Sequence, residues 1–194
     1  MNTKKLAFVI MMGALGNVLF AISYFAGPIA PGIALDFSLI AVFIAGFFIG
    51  PREGIITGLL AGILPGIMFG PVGTGGWLGL IGLPLGKALT GLTAGFIGKG
   101  VNFQKPRSSL LGIPLTILAY IPESIFTYAY FAFLLPLFIP TQVLGNAVII
   151  TILIKAFGEV TIMGFIIAAL LGNKGFKDFI QAFFCKPEKT QSNR

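Results

Sequence analysis

Long apolar segments alternate with short polar or charged stretches along most of the chain. Six segments are apolar and end at glycine, proline or charged residues: 6–26, 34–50, 54–70, 79–98, 109–135 and 145–172. A helix needs about 20 residues to cross the hydrocarbon layer of a bilayer, so the second and third segments are short for a span. The pattern predicts an all-α integral membrane protein whose six transmembrane helices form one domain, residues 1–173.

Composition excludes several other classes of protein. Of the 194 residues, 56% are hydrophobic and 10% are charged, whereas an average soluble domain has about 25% charged residues. The chain has no histidine and a single cysteine, Cys185, which excludes histidine-based catalysis, histidine metal sites and an internal disulfide. We therefore expect a transport or binding protein without catalytic residues, metal or cofactor, and not an enzyme.

Most basic residues fall on one side of the predicted membrane. Eleven of the 13 precede the first segment, follow the sixth, or lie in the second–third and fourth–fifth connections: Lys4, Lys5, Arg52, Lys99, Lys105, Arg107, Lys174, Lys177, Lys186, Lys189 and Arg194. Basic connections stay in the cytoplasm, so both termini are predicted to be cytoplasmic. Cleavage of the first segment as a signal peptide is the weaker alternative, because its apolar run exceeds the usual length of about 7–15 residues.

The basic tail, residues 174–194, contains apolar residues at helical spacing. These residues are Phe176, Phe179, Ile180, Phe183 and Phe184. The spacing predicts a short amphipathic helix on the inner leaflet of the membrane. Docking of this helix on a cytoplasmic partner is the alternative.

Small residues recur every four positions in the third and fourth segments. The third carries Gly54, Gly58, Gly62, Gly66 and Gly70, and the fourth carries Gly82, Gly86, Thr90, Ala94 and Gly98. Small residues at this spacing allow helix backbones to approach closely within a membrane. We interpret both stripes as packing surfaces, with a sliding surface for a transport cycle as the alternative.

Charged residues remain inside the predicted membrane segments. They are Lys87, Glu123, Lys155 and Glu159, and Asp36 lies at the outer end of the second segment. A charge at the bilayer centre costs about 2.5 kcal/mol or more, so such groups pair or line a polar cavity. Lys155 can pair with Glu159 four residues later, and Lys87 can pair with Glu123 on the next, antiparallel helix. The sequence leaves open whether these groups form structural ion pairs or contact a ligand.

Prolines are expected to interrupt three of the segments. Pro122 directly precedes Glu123 and removes the amide that would bond the carbonyl of Leu118. A broken helix beside a buried carboxylate is a common way to form a binding site inside a membrane. Pro65 and Pro84 predict similar breaks in the third and fourth segments.

The stretch from Leu35 to Gly62 resembles part of a known family. It combines an outer acidic residue, Asp36, an apolar segment, the inner turn Gly50-Pro51-Arg52-Glu53-Gly54 and a glycine-rich return. Together with the six segments, it resembles the substrate-binding S components of energy-coupling factor (ECF) transporters. The resemblance covers residues 6–172.

The resemblance implies ATP-driven uptake of a small water-soluble vitamin or related micronutrient. The chain would bind it in an outward-facing pocket between helices 4–6 and the outer loops, in the cytoplasmic membrane of a prokaryotic cell. A transmembrane coupling subunit and two cytoplasmic ATPase subunits would be its partners, and ATP hydrolysis would take place on the ATPases.

The resemblance also implies candidate functional residues. The candidate ligands are Lys87, Glu123, Lys155, Glu159 and Asn146, to which the outer-side residues Asp36 and Trp77 are added. For Trp77 the interfacial aromatic belt is the favoured alternative. Family members dock their partner through small residues four apart on the first helix. Gly13, Asn17 and Ala21 hold this spacing, although Asn17 departs from the pattern.

Two other functions remain open from the sequence. A stand-alone secondary transporter would carry a proton on Glu123 or Glu159, and its uptake would stop when the proton gradient is lost. An intramembrane enzyme is disfavoured by the lack of histidine and of paired aspartates. The net charge of +7 is explained by topology and anionic lipid headgroups, so no nucleic-acid partner is expected.

Overall fold

The computed structural model of the protein describes residues 3–26, 28–30, 33–73, 75–101, 106–138 and 146–184. The helices in these ranges are α1 (Thr3–Phe25), α2 (Leu39–Ile49), α3 (Pro51–Ala61), α4 (Ile63–Phe69), α5 (Gly76–Gly100), α6 (Gly112–Ala129), α7 (Leu135–Phe138), α8 (Asn146–Gly172) and α9 (Lys174–Phe184). A 3₁₀ turn, Pro106–Leu111, precedes α6, and a π-helical turn, Tyr130–Leu134, joins α6 to α7. Strands β1 (Pro28–Ala30) and β2 (Ile33–Ala34) form a short antiparallel ribbon between α1 and α2.

Within the described residues, five helical stretches are long and apolar enough to cross a membrane. They are Thr3–Phe25, Pro51–Phe69, Gly76–Gly100, Ser109–Phe138 and Ile149–Gly172. Apart from the short ribbon, the described chain is helical, as predicted. Its long helices also have the apolar character expected of a membrane protein.

The second predicted segment, 34–50, is a much shorter helix than expected. Its helix, α2, has 11 residues and is about 16 Å long, roughly half the thickness of the hydrocarbon layer. The chain before it is extended at residues 35–37. Because residues 41–47 are all buried, α2 occupies the centre of the helix assembly, and its first residues reach into the interior.

The third predicted segment is divided at Gly62, where α3 ends and α4 follows. The Asn17 side chain of α1 donates to the carbonyl of Leu60 at 2.8 Å and accepts from the N–H of Leu64 at 2.9 Å. In an unbroken helix these two backbone groups would bond each other. The Asn17 amide thus takes the place of a missing helical hydrogen bond, which is a recognised cause of helix kinks.

Replacing Asn17 by leucine tests its role at this kink. The change removes a partner from one carbonyl and one N–H, and each buried backbone group left without a partner costs about 1–3 kcal/mol. We expect thermal unfolding in detergent, followed by circular dichroism, to begin several degrees lower. Val18→Leu, on the exposed side of the same helix, is the control and should leave the transition unchanged. A wild-type transition in Asn17→Leu would show that the kink needs no side-chain support.

The sequence also predicted helix breaks at Pro84 and Pro122. Both breaks are absent, so these two predictions are wrong. Helix α5 continues through Pro84, and α6 continues through Pro122. Proline is tolerated in membrane helices when neighbouring groups satisfy the freed backbone. Near Pro122, the Thr93 hydroxyl of α5 donates to the carbonyl of Ala119 at 2.6 Å.

The glycines of α3 and α4 pack directly on the backbone of α5. The closest approaches pair Gly54 with Gly91, Gly58 with Lys87, Gly62 with Pro84, and Gly66 with Leu80. A Cβ atom at Gly54 would overlap the carbonyl of Gly91. The stripe in the third predicted segment is therefore a packing surface within the chain. Its contact at Gly58 fixes the backbone of α5 at Lys87.

The C-terminal helix α9 packs on other helices of the same chain. Its Ile180 side chain is 6% exposed. Ring pairs at centroid distances of 5.2 and 5.1 Å join Phe8 to Phe184 and Phe48 to Phe176. The apolar face of this amphipathic helix is therefore partly covered by α1 and α2, whereas Phe179 is 57% exposed. Cys185 and the rest of the tail, to residue 194, lie outside the described residues.

Candidate binding cavity

A cavity of about 180 Å³ lies between α5, α6 and α8 and is bordered by the start of α2. Its polar lining consists of Asp36, Lys87, Tyr120, Glu123, Thr127, Lys155 and Glu159. Its remaining lining is Leu39, Phe69, Gly75, Leu83, Phe131, Ile152, Ala156, Val160 and Met163. A single buried water needs about 10–15 Å³, so the cavity has room for a small organic molecule.

A turn at the start of α2 presents the first charged group. One carboxylate oxygen of Asp36, Oδ1, accepts from the backbone N–H of Ser38 at 2.9 Å and from its hydroxyl at 2.6 Å. An aspartate that bonds the backbone two residues on forms a turn that competes with helix. This turn explains why the helix begins at Leu39 and not at residue 34.

The second oxygen of Asp36, Oδ2, pairs with Lys87 of α5 at 2.6 Å. The Lys87 ammonium also donates to Ser38 Oγ at 2.7 Å, and the residue is 2% exposed. The pairing of Lys87 with Glu123 expected from the sequence is therefore replaced by a pair with Asp36. The physical reason is the short α2, which brings Asp36 to the same depth as Lys87.

Glu159 of α8 connects to the same turn. Its Oε1 accepts from the backbone N–H of Asp36 at 2.7 Å, and its Oε2 lies 3.2 Å from Lys155 Nζ. The pair between Lys155 and Glu159, four residues apart, is thus formed as the sequence allowed. Both oxygens of Glu159 have partners, so this residue joins α8 to the start of α2.

Glu123 of α6 has a different environment from the other two carboxylates. It accepts a hydrogen bond from the hydroxyl of Thr90 on α5, and the residue is buried. No Lys or Arg in the described part of the chain forms a salt bridge with it. Glu123 therefore offers the cavity a carboxylate whose described partner is neutral.

The ligand residues predicted from the sequence leave out four polar residues of this site, Ser38, Thr90, Tyr120 and Thr127. Ser38 follows Asp36 by two residues, a spacing typical of an aspartate turn, so a local signal was available. Thr90 was assigned only to the stripe of small residues. The ring of Tyr120 packs edge-on against Phe157 at 5.4 Å, and this placement depends on the packing of α6 on α8.

The structure brings five of the predicted ligand residues to the cavity, namely Asp36, Lys87, Glu123, Lys155 and Glu159. It does not bring Trp77 there, because that side chain is 76% exposed at the start of α5. Asn146 begins α8, and its side chain lies outside the described part of the chain. Binding of a ligand by these residues stays a prediction.

Two of the three residues expected to dock a partner, Gly13 and Asn17, contact other helices of this chain. Asn17 bonds the backbone of α3 and α4, and Gly13 faces the side chain of Leu60. Ala21 is half-buried on the same helix. Docking through Gly13 and Asn17 stays a prediction, and it would require α1 to separate from α3.

Comparison with protein-family models, with curated proteins and with solved structures finds no match. Within the described ranges, no three His, Cys, Asp or Glu side chains are grouped so that they could hold a metal ion. The chemistry of the cavity therefore rests on its two lysines, three carboxylates and aromatic lining.

Proposed function

We propose that this chain is the substrate-binding membrane subunit of an ATP-driven uptake transporter of the ECF type. Its solute would be a small water-soluble vitamin or a related micronutrient. The observation that supports this best is the cavity, where five ionisable side chains surround about 180 Å³ inside an apolar helix assembly. Ionisable residues at such depth typically mark the path or the binding site of a polar solute.

The proposal includes a topology with six helices in the membrane and both termini in the cytoplasm. The short α2 would be the sixth membrane helix, surrounded by the longer ones. The basic residues Arg52, Lys99 and Lys177 would then lie on the cytoplasmic side. The cavity between α5, α6 and α8 would open to the outside of a prokaryotic cell.

A transmembrane coupling subunit and two cytoplasmic ATPases would supply the energy for uptake. The chain itself would bind the solute and would not be an enzyme. This division of labour rests on the sequence resemblance. It predicts that a tagged chain recovers ATPase subunits from its native membrane in mild detergent.

The proposed function is tested by binding to the chain alone and by uptake into cells. We expect protein purified in mild detergent to release a stoichiometric small molecule on denaturation, identified by mass spectrometry. Cells that produce the whole transporter should take up that molecule, and ATP depletion should stop the uptake. An ionophore that removes only the proton gradient should leave it unchanged. Purified protein without any bound solute, together with no uptake, would contradict the proposal.

A second candidate, a proton-coupled secondary transporter, is favoured by the environment of Glu123. A buried carboxylate with a neutral partner can take up and release a proton during transport. In that case the ionophore would abolish uptake while ATP is still present. Glu123→Gln would abolish coupling to the gradient as well. The ionophore experiment therefore separates the two functions.

A further inference from the structure

The charged groups around the cavity do not balance one another. Three carboxylates and two ammonium groups line it, which leaves an excess of one negative charge when all are ionised. Among the undescribed residues, 27, 31–32, 74 and 139–145 contain no Asp, Glu, Lys or Arg, whereas the charged ones, Lys105, Lys186, Glu188, Lys189 and Arg194, belong to the fourth–fifth connection and the tail, which are predicted to be cytoplasmic. No basic side chain in these segments can therefore supply the missing positive charge.

The excess negative charge is located at Glu123. Two of the three carboxylates have an ammonium partner, in the pairs Asp36–Lys87 and Glu159–Lys155. The described partner of Glu123 is the neutral hydroxyl of Thr90. An ionised carboxylate without a positive partner is costly to bury, so this group either takes up a proton or pairs with a ligand that brings a positive charge.

The rest of the lining suits an organic body and not a bare metal ion. Aromatic rings of Phe69, Tyr120 and Phe131 line the cavity, and ring faces attract organic cations. Leu83 and Met163 add apolar surface. A hard metal ion such as calcium takes about six to eight oxygen ligands, and the described residues contain no group of side chains suited to hold one.

We propose that the solute is a small organic cation. Its protonated amine or positively charged ring pairs with Glu123, and its apolar part lies against the aromatic lining. This inference rests on the proposed function, because it names the class of solute that the same cavity binds. It predicts that removal of the Glu123 charge weakens binding while the two ion pairs remain.

The test uses yeast extract separated at pH 7 on a cation-exchange column into a retained, cationic fraction and an unretained fraction. The full chain, purified in detergent and dialysed until denaturation releases no small molecule, is mixed with each fraction, and its unfolding temperature is measured. We expect only the retained fraction to stabilise the wild-type chain. In Glu123→Gln, the dose for half the effect should rise at least about 30-fold, as for the loss of a buried charge partner.

Two variants complete the test. Glu53→Gln makes the same change at a glutamate that pairs with Lys5, at 3.0 Å and away from the cavity lining. It should keep the wild-type response. Glu123→Asp keeps the charge on a shorter side chain, so the retained fraction should stabilise it more strongly than Glu123→Gln. Gel filtration checks that Glu123→Gln is folded.

Each other outcome overturns a defined part of the proposal. Stabilisation of the wild-type chain by the unretained fraction alone overturns the organic cation and leaves the proposed function intact. An equal response of Glu123→Gln and wild type overturns the role of Glu123. If neither fraction stabilises the wild-type chain, the proposed function fails, and the inference fails with it.

Discussion

Replacement of Lys87 by methionine is expected to destabilise the protein by about 3–5 kcal/mol, the cost of breaking a buried ion pair by removing one partner. In the wild-type protein the Asp36 carboxylate lies 2.6 Å from the Lys87 ammonium. The change leaves this carboxylate without its positive partner. It also removes the donor to Ser38 Oγ. Because these contacts hold the turn that starts α2, unfolding in detergent should require less denaturant. Circular dichroism at the helix band measures this shift.

Two further variants distinguish a lost ion pair from a general defect in packing. Asp36→Asn in the Lys87→Met chain removes the stranded charge and should restore part of the lost stability. Lys155→Met breaks a pair within one helix whose lysine side chain is 17% exposed, against 3% for Lys87, and whose glutamate keeps the N–H of Asp36 as a donor. We therefore expect a smaller loss than in Lys87→Met. If Lys87→Met is no more harmful than Lys155→Met, the pair with Asp36 does not stabilise the fold.

Replacement of Gly54 by valine is expected to destabilise the protein by about 3 kcal/mol, at the upper end for an overpacked core. A Cβ atom at this position would overlap the carbonyl of Gly91, so α3 and α5 would have to move apart. The displaced contact is backbone on both sides and cannot be relieved by a new side-chain rotamer. The measurement is again denaturant unfolding in detergent.

Gly158→Val is the matched control for this prediction. Gly158 lies on α8, and no atom would come within 4 Å of a Cβ added there. We expect a change within about 0.5 kcal/mol, as for most exposed substitutions. A similar loss in both variants would mean that valine disturbs the helices themselves and not the contact between α3 and α5.

The helical class and the charged residues of the cavity could be predicted because charges are rare in this chain. Lys87, Glu123, Lys155 and Glu159 stand out against apolar segments, and the cost of burying a charge makes such residues converge. Their presence in one cavity therefore follows from composition and helix periodicity. No detailed knowledge of packing was needed.

The partner of Lys87 could not be predicted, because it depends on where α2 begins. The apolar run from residue 34 favoured a full-length helix, whereas the turn at Asp36 and Ser38 delays the start of the helix to Leu39. Hydropathy averages over many residues and does not register such a turn. The helix boundary then decided which carboxylate reached the ammonium group.

The role of Asn17 was hidden for a related reason. On its own helix Asn17 holds a place in the four-residue spacing of a partner-docking surface that the family resemblance implies, although it departs from the small residues of that pattern. Besides the carbonyl of Gly13 on its own helix, its side chain bonds the carbonyl of Leu60 and the N–H of Leu64. The Leu60 and Leu64 groups are free only because another helix is divided at Gly62, and no local pattern in α1 contains that information.

The contacts of Asp36 also impose an order on the biogenesis of the protein. Its partner Lys87 is synthesised 51 residues later, and Glu159, which accepts from its backbone N–H, is synthesised 123 residues later. At about 5–20 residues per second, Glu159 leaves the ribosome roughly 6–25 s after Asp36. The cavity is therefore completed only when α8 has been synthesised, because a nascent chain that stops before α8 lacks one wall of it.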